Sequence, residues 1–253
     1  MSYDNLAGRT AVVTGAASGM GAATAALLAS HGARVALLAR RADRLETLAA
    51  KITADGGQAL AVTVDVTDAE SVRVAAERIR REYGRVDLVV NSAGVMLPNP
   101  IDAGRTDEWA RMLDTNLTGV LRIIDAFRAD LLAAAAEGHP ADLVNISSIG
   151  AHISFPNYAV YGATKAALTH LSASLRTEFG PRDVRVTNIE PGLTDTELGG
   201  HIDNAELTEQ LDGMFRAIGP LSSEDVADLI AYVTSRAAHV NLRQVIVLPT
   251  RQA

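Results

Sequence analysis

Thr10-Ala11-Val12-Val13-Thr14-Gly15-Ala16-Ala17-Ser18-Gly19-Met20-Gly21 is a short β-forming run that breaks into glycines and then into an alanine-rich segment. Glycines let a strand turn sharply into a helix, and the first turn of that helix offers unpaired amides to an anion. A dinucleotide pyrophosphate is the natural ligand, with Gly15, Ser18, Gly19, Met20 and Gly21 as its candidate cradle. The spacing departs from G-x-G-x-x-G, and a tight strand-to-helix connection with no ligand is the plain alternative. No lysine follows the glycines, so this is not a nucleoside-triphosphate P-loop.

The same alternation continues through the 253 residues: β-rich apolar runs separated by longer segments of helical period. Strands are expected near Thr10 to Thr14, Arg34 to Ala39, Ala59 to Val64, Val86 to Asn91, Asp142 to Ser147, Arg185 to Ile189 and Gln244 to Leu248, with helices between. This pattern predicts repeated βα units around a parallel sheet, an α/β fold. Thr67-Asp68-Ala69-Glu70 and Ser222-Ser223-Glu224-Asp225 have the spacing of capping boxes. No linker, repeat or low-complexity tract divides the chain, so residues 1–253 are expected to form a single domain.

A net charge of −7 argues against a nucleic-acid groove and a polybasic membrane surface. There is no cysteine, which excludes disulfides, thiolate metal sites and cysteine nucleophiles. The six histidines are scattered and form no ligand pair, so no metal is expected. The polar start from Met1 to Asn5 lacks a signal pattern and no apolar run approaches a membrane span, so a cytoplasmic protein with small-molecule partners is expected.

In open α/β sheets, ligands bind at the carboxyl ends of the strands. The second strand ends Leu37-Leu38-Ala39-Arg40-Arg41, where an NAD site would carry a carboxylate for the ribose 2′-hydroxyl. Two guanidinium groups suit a 2′-phosphate instead, which points to NADP(H), with Arg40 as the phosphate ligand and Arg41 stacking on adenine or assisting. The alternative is two solvated charges at a helix start. Asp65 and Val66, after the third strand, could meet the adenine. Asn91, Ala93 and Gly94, in and after the fourth, could floor the ribose and pyrophosphate. Asp65 could equally cap a turn.

Ser148 follows the fifth strand, and Tyr161 and Lys165 stand thirteen and seventeen residues further on. Four residues apart on a helix, the phenol and the ammonium share one face. Bringing a tyrosine from about 10 to about 7.5 takes roughly 3.4 kcal/mol. One cation about 5 Å away supplies roughly 3 kcal/mol at an effective dielectric near 20, and an oxidised nicotinamide would add to it. A surface Tyr–Lys pair arises by chance, but Lys51 and Lys165 are the only lysines in the chain. Asn116 sits inside the apolar-periodic segment Thr106 to Ala136, where asparagine is a poor helix former. It would hold a water or a backbone distortion near Lys165, or be a satisfied packing amide. Ser148 or its neighbour Ser147 could simply bond a backbone group, and Tyr158 pairs with no cation.

Taken together these residues resemble the classical short-chain dehydrogenase/reductase family over essentially the whole chain. Thr14 to Gly21 is similar to its TGxxxGxG turn, Asn91-Ser92-Ala93-Gly94 to its NNAG element with serine for one asparagine, and Asn116, Ser148, Tyr161 and Lys165 to its catalytic tetrad. Pro191, Gly192, Thr194 and Thr196 resemble its segment over the nicotinamide carboxamide. Within the family, Arg40-Arg41, Glu190 to Leu198 and the tail from Asn241 to Arg251 are most similar to NADP-dependent 3-hydroxy-acid (serine-type) and clavulanate dehydrogenase-like members. The resemblance implies a doubly wound Rossmann fold, seven parallel strands with helices on both faces, and a homotetramer or homodimer. It also implies hydride transfer between NADP(H) and a carbonyl or alcohol carbon. Ser148 would hold the carbonyl, Tyr161 would act as acid/base, Lys165 would tune the phenol and hold the ribose, and Asn116 would position a water.

Residues 193–216 would form a substrate lid hinged at Gly199-Gly200. Met96, Leu97, His152, Phe155, Tyr158, Leu193, His201 and Met214 are candidates for the substrate wall. Two other readings of the same sequence are a noncatalytic NADP-binding sensor or structural subunit, and a sugar-nucleotide epimerase, which the short C-terminal portion disfavours.

Overall fold

The computed structural model describes residues 3–252, apart from the side chain of His201. β1 (Thr10–Thr14), β2 (Arg34–Ala39), β3 (Gln58–Thr63), β4 (Leu88–Asn91), β5 (Ala141–Ile146), β6 (Val184–Pro191) and β7 (Gln244–Val247) form one sheet. Its order is β3-β2-β1-β4-β5-β6-β7 and every pairing is parallel. The crossover helices are α1 (Gly19–Ser30), α2 (Ala42–Ala54), α3 (Ala69–Tyr83), α4 (Thr106–Leu113), α5 (Gly119–Ala136), α6 (Ala159–Phe179), α7 (Ala205–Ile218) and α8 (Ser223–Thr234). Because successive strand residues face opposite sides, Val12, Leu38 and Val89 pack under Val72, Phe127 and Leu168 of α3, α5 and α6. Val13, Leu37 and Val90 pack under Leu28, Leu45 and Ile230 of α1, α2 and α8. The central strands are therefore buried on both faces, which is why they read as continuous apolar runs.

The amino ends of the strands are tied by a buried ionic cluster remote from the ligand edge. Arg9 donates to Asp87 at 2.8 Å and to Asp142 at 2.6 Å, while Arg185 grips both oxygens of Asp142 at 2.8 and 2.7 Å. Asp87 is thus occupied before β4 begins, and the strand starts at Leu88 rather than Val86. The cap of α3 also differs from the expected box. Thr67 is held by Asp65, so Asp68 takes the N-cap and accepts from the Glu70 amide at 2.9 Å. The box at the start of α8 forms as expected, with Ser222 and Asp225 bonding reciprocally. No described helix is long and apolar enough to cross a membrane.

Candidate active site

The glycine turn is shaped by close backbone approaches. Gly15 has φ +70°, and a Cβ there would lie 2.8 Å from the Ser92 carbonyl oxygen; one on Gly21 would lie 2.4 Å from the Gly15 carbonyl oxygen. Thr14 locks the turn to the strand beside it, its hydroxyl accepting from the Ser92 and Ala93 amides at 3.0 and 3.1 Å. Ser18 makes no side-chain cap, and no side chain among the described residues accepts from the amides of the first turn of α1.

Two adjoining cavities open at the carboxyl edge and share Met20, Ser147, Tyr161, Thr196 and Leu198. The cavity over the glycine turn is also lined by Gly15, Ser18, Gly19, Gly21, Arg40, Arg41, Asp65, Val66, Ala93, Gly94 and Lys165. Asn91 lies beneath it, buried and donating to Asn145 at 2.9 Å. Arg40 makes no side-chain hydrogen bond among the described residues, whereas Arg41 donates to the Ser18 hydroxyl and to Glu197, each at 2.8 Å. A carboxylate therefore already rests on the arginine cluster. Asp65 does cap a turn, accepting from the Thr67 amide and hydroxyl at 2.9 and 2.7 Å. Burial pushes its carboxyl up, but those bonds and the charges of Arg40 and Arg122 outweigh burial and hold it below the ordinary range.

The second cavity, about 500 Å³, is bounded by Met96, His152, Phe155, Tyr158, Leu193 and Met214 of the expected wall, together with Ser148. Pro191, Gly192 and Thr194 line this side. Leu97 does not; it is buried with Val95, Met112 and Tyr161. His201, as a side chain, lies outside the described residues. Unforeseen wall residues come from α7, where Gln210, Leu211 and Phe215 face in, and from Gln252, which accepts from the Leu193 amide at 2.8 Å.

Tyr161 stands where the cavities meet. Ser148 shares a cavity wall with it and accepts from the Gly150 amide at 3.0 Å, and the Lys165 ammonium lies 5.7 Å from the phenol ring centroid. Lys165 donates to the Ile146 carbonyl at 2.9 Å. Burial pushes the Tyr161 phenol up to about 12 despite the opposing influence of Ser148, with Tyr158 adding to the rise. Burial likewise pulls the Lys165 ammonium down to about 8. In the protein alone, desolvation therefore outweighs the lowering expected from the Tyr161–Lys165 spacing.

Asn116 explains its unusual position. Between α4 and α5, residues Asp114–Thr118 form a π turn, and from it Asn116 accepts from the Val95 amide at 2.8 Å and donates to the Val95 carbonyl and the Thr164 hydroxyl at 2.9 and 3.1 Å. The side chain pins the loop after β4 to α6. A Cβ on Gly94 would sit 3.4 Å from Asn116 Oδ1 and 3.8 Å from Lys165 Nζ, so glycine keeps this corner open. Glu190 was missed as a functional position: a lone carboxylate closing an otherwise uncharged strand end was the available signal. It is fully buried, bonded to His152, Thr169, Asn188 and Gln244.

A parallel seven-stranded sheet, a glycine turn on α1 and a Ser–Tyr–Lys group at the carboxyl edge define the class. The family model for short chain dehydrogenases matches residues 9–207, and the chain belongs to that family, whose members are oxidoreductases. Among its relatives, serine 3-dehydrogenase of Agrobacterium fabrum is 34% identical over 96% of this chain and 95% of its own. Sulfoacetaldehyde reductase 2 of Chromohalobacter salexigens is 35% identical over 96% and 94%. The closed form of serine dehydrogenase complexed with NADP+ superposes with TM-score 0.88 at 27% identity, covering 96% of both chains.

Proposed function

We propose that this chain is an NADP(H)-dependent oxidoreductase that interconverts a carbonyl and an alcohol on a small molecule, with Tyr161 as acid/base. The observation that carries this reading is the position of Tyr161 at the junction of two cavities, with Ser148 on the same wall and Lys165 one turn behind. The residues of the first cavity suit the cofactor. Glycines leave room for backbone approach, the first turn of α1 has no side-chain cap, and Arg41, which also donates to the Ser18 hydroxyl, already binds an anionic oxygen group supplied by Glu197. Arg40 and Arg41 would take the 2′-phosphate, the α1 amides the pyrophosphate, and Lys165 the nicotinamide ribose. When bound, NADPH supplies the hydride for the carbonyl carbon and is oxidised to NADP+.

The protein groups manage the oxygen. Ser148 accepts from the Gly150 amide, and its own proton would go to a substrate carbonyl. Tyr161, neutral at pH 7 as an ordinary tyrosine is and held further from ionisation by burial, is in the protonated form that reduction requires. The segment 193–216 serves as a lid, its α7 side chains covering the second cavity. Leu113 and Leu121, exposed near the Asn116 turn, support pairing of this face in a homotetramer or homodimer.

The test is NADPH oxidation over a panel of aldehydes and ketones. The expected result is turnover with at least tenfold preference for NADPH over NADH, eroded in Arg40→Ala. Tyr161→Phe should lower kcat/KM by 10²- to 10⁴-fold, the range for removing a general acid, while NADPH still binds. NADPH binding without consumption by any carbonyl would refute the proposal.

A further inference from the structure

We infer that the substrate is an uncharged ketone or aldehyde bearing an aryl or alkyl group, and that the site discriminates against carboxylates. This rests on the oxidoreductase reading above and concerns the second cavity alone. None of its described lining residues is Lys, Arg, Asp or Glu. Lys165 lines only the neighbouring cavity, behind the phenol. The imidazole among the described wall residues, His152, is 39% exposed and its Nε2 lies 2.9 Å from Glu190, which is 0% exposed.

The charge of that pair decides what the cavity can accept. The other partners of Glu190 are Thr169 at 2.7 Å, Asn188 at 2.8 Å and Gln244 at 2.9 Å, all neutral. A protonated His152 is therefore cancelled by the carboxylate behind it, and a neutral His152 leaves the pair at −1. In neither state do the described wall residues present a net positive charge to a substrate anion. A carboxylate entering this cavity would lose its water without gaining an ion pair, which is strongly unfavourable.

The remaining surface is suited to apolar mass. Phe155, Tyr158 and Tyr161 form successive edge contacts, with ring centroids 6.2 and 6.4 Å apart, running along the wall to the reacting phenol. Leu211, Met214 and Phe215 of α7 cover the same space. A volume of about 500 Å³ exceeds the need of a three-carbon acid and lies within the usual range of small-molecule pockets.

Matched acid and ester pairs test the inference: acetoacetate against ethyl acetoacetate, and 4-oxo-4-phenylbutanoate against its ethyl ester, with purified enzyme and NADPH. The esters should exceed the acids by at least 100-fold in kcat/KM, and ethyl 4-oxo-4-phenylbutanoate should exceed ethyl acetoacetate. Met214→Arg, which adds a cation to the lid wall, should narrow the acid-to-ester gap at least tenfold. Glu190→Gln, which removes the cancelling charge, should narrow it in the same direction. Acids used as well as esters, or a gap unchanged in Met214→Arg, would overturn this inference while leaving the proposed function standing. No turnover of any member of the panel, with NADPH binding shown by its fluorescence, would overturn both.

Discussion

Replacing Lys165 with methionine keeps the length of the side chain and removes an ammonium that the fold buries. Burial moves that group from its ordinary 10.5 to about 8, which corresponds to about 3 kcal/mol of unfavourable desolvation at neutral pH. The variant also loses the hydrogen bond to the Ile146 carbonyl, at a cost of about 1 kcal/mol. Lys165→Met should therefore be about 2 kcal/mol more stable than the parent below pH 8, although its activity collapses. For a chain of this size that is an increase of about 4–8 °C in Tm. The sign reverses with pH. Between pH 8 and 10.5 the unfolded lysine holds a proton that the folded one has released, so the parent gains stability and the gap to the variant closes. From pH 10 to 12 both chains lose stability together, because Tyr161 ionises first in the unfolded state. Urea unfolding followed by Trp109 fluorescence at pH 7 and pH 9.5, at one protein concentration, measures the gap. A variant less stable at pH 7, or a gap that does not shrink by pH 9.5, would refute the desolvation argument.

Two further outcomes follow from the cofactor cavity. Glu197 occupies Arg41 through a pair whose side chains are 47% and 46% exposed; such pairs contribute about 0–1 kcal/mol. Glu197→Gln should tighten NADPH binding by up to about fivefold in calorimetry and leave NADH unchanged, and equal tightening of both would show that Glu197 does not compete with the 2′-phosphate. Gly21→Ala puts a methyl 2.4 Å from the Gly15 carbonyl oxygen, where only backbone movement can relieve the clash. Its Kd for NADPH should rise at least tenfold, and wild-type affinity would show that the turn is not held as described.

Strand positions were legible because central parallel strands buried on both faces leave uninterrupted apolar runs, and six of the seven expected strands end within one residue of the observed end. β6 departs most, running to Pro191 because β7 pairs along it as far as Val247. Helix caps were legible where the capping residues face no competitor, as at Ser222, and misread at Thr67, which Asp65 engages first. The anomaly at Asn116 was visible as a residue out of place, but its resolution depended on Val95, a residue on another segment.

The amino-acid order by itself determined the βα alternation, the glycine turn, and the shared face of Tyr161 and Lys165, because each depends on residues adjacent in the chain or one helical turn apart. Tertiary structure alone decided how those groups behave. Glu190 meets His152 across 38 residues and Glu197 meets Arg41 across 156, separations at which spacing carries no information. Burial also turned the pKa of Tyr161 upward where the local pairing implied the reverse, since desolvation is set by everything packed around a group and not by its neighbours in sequence.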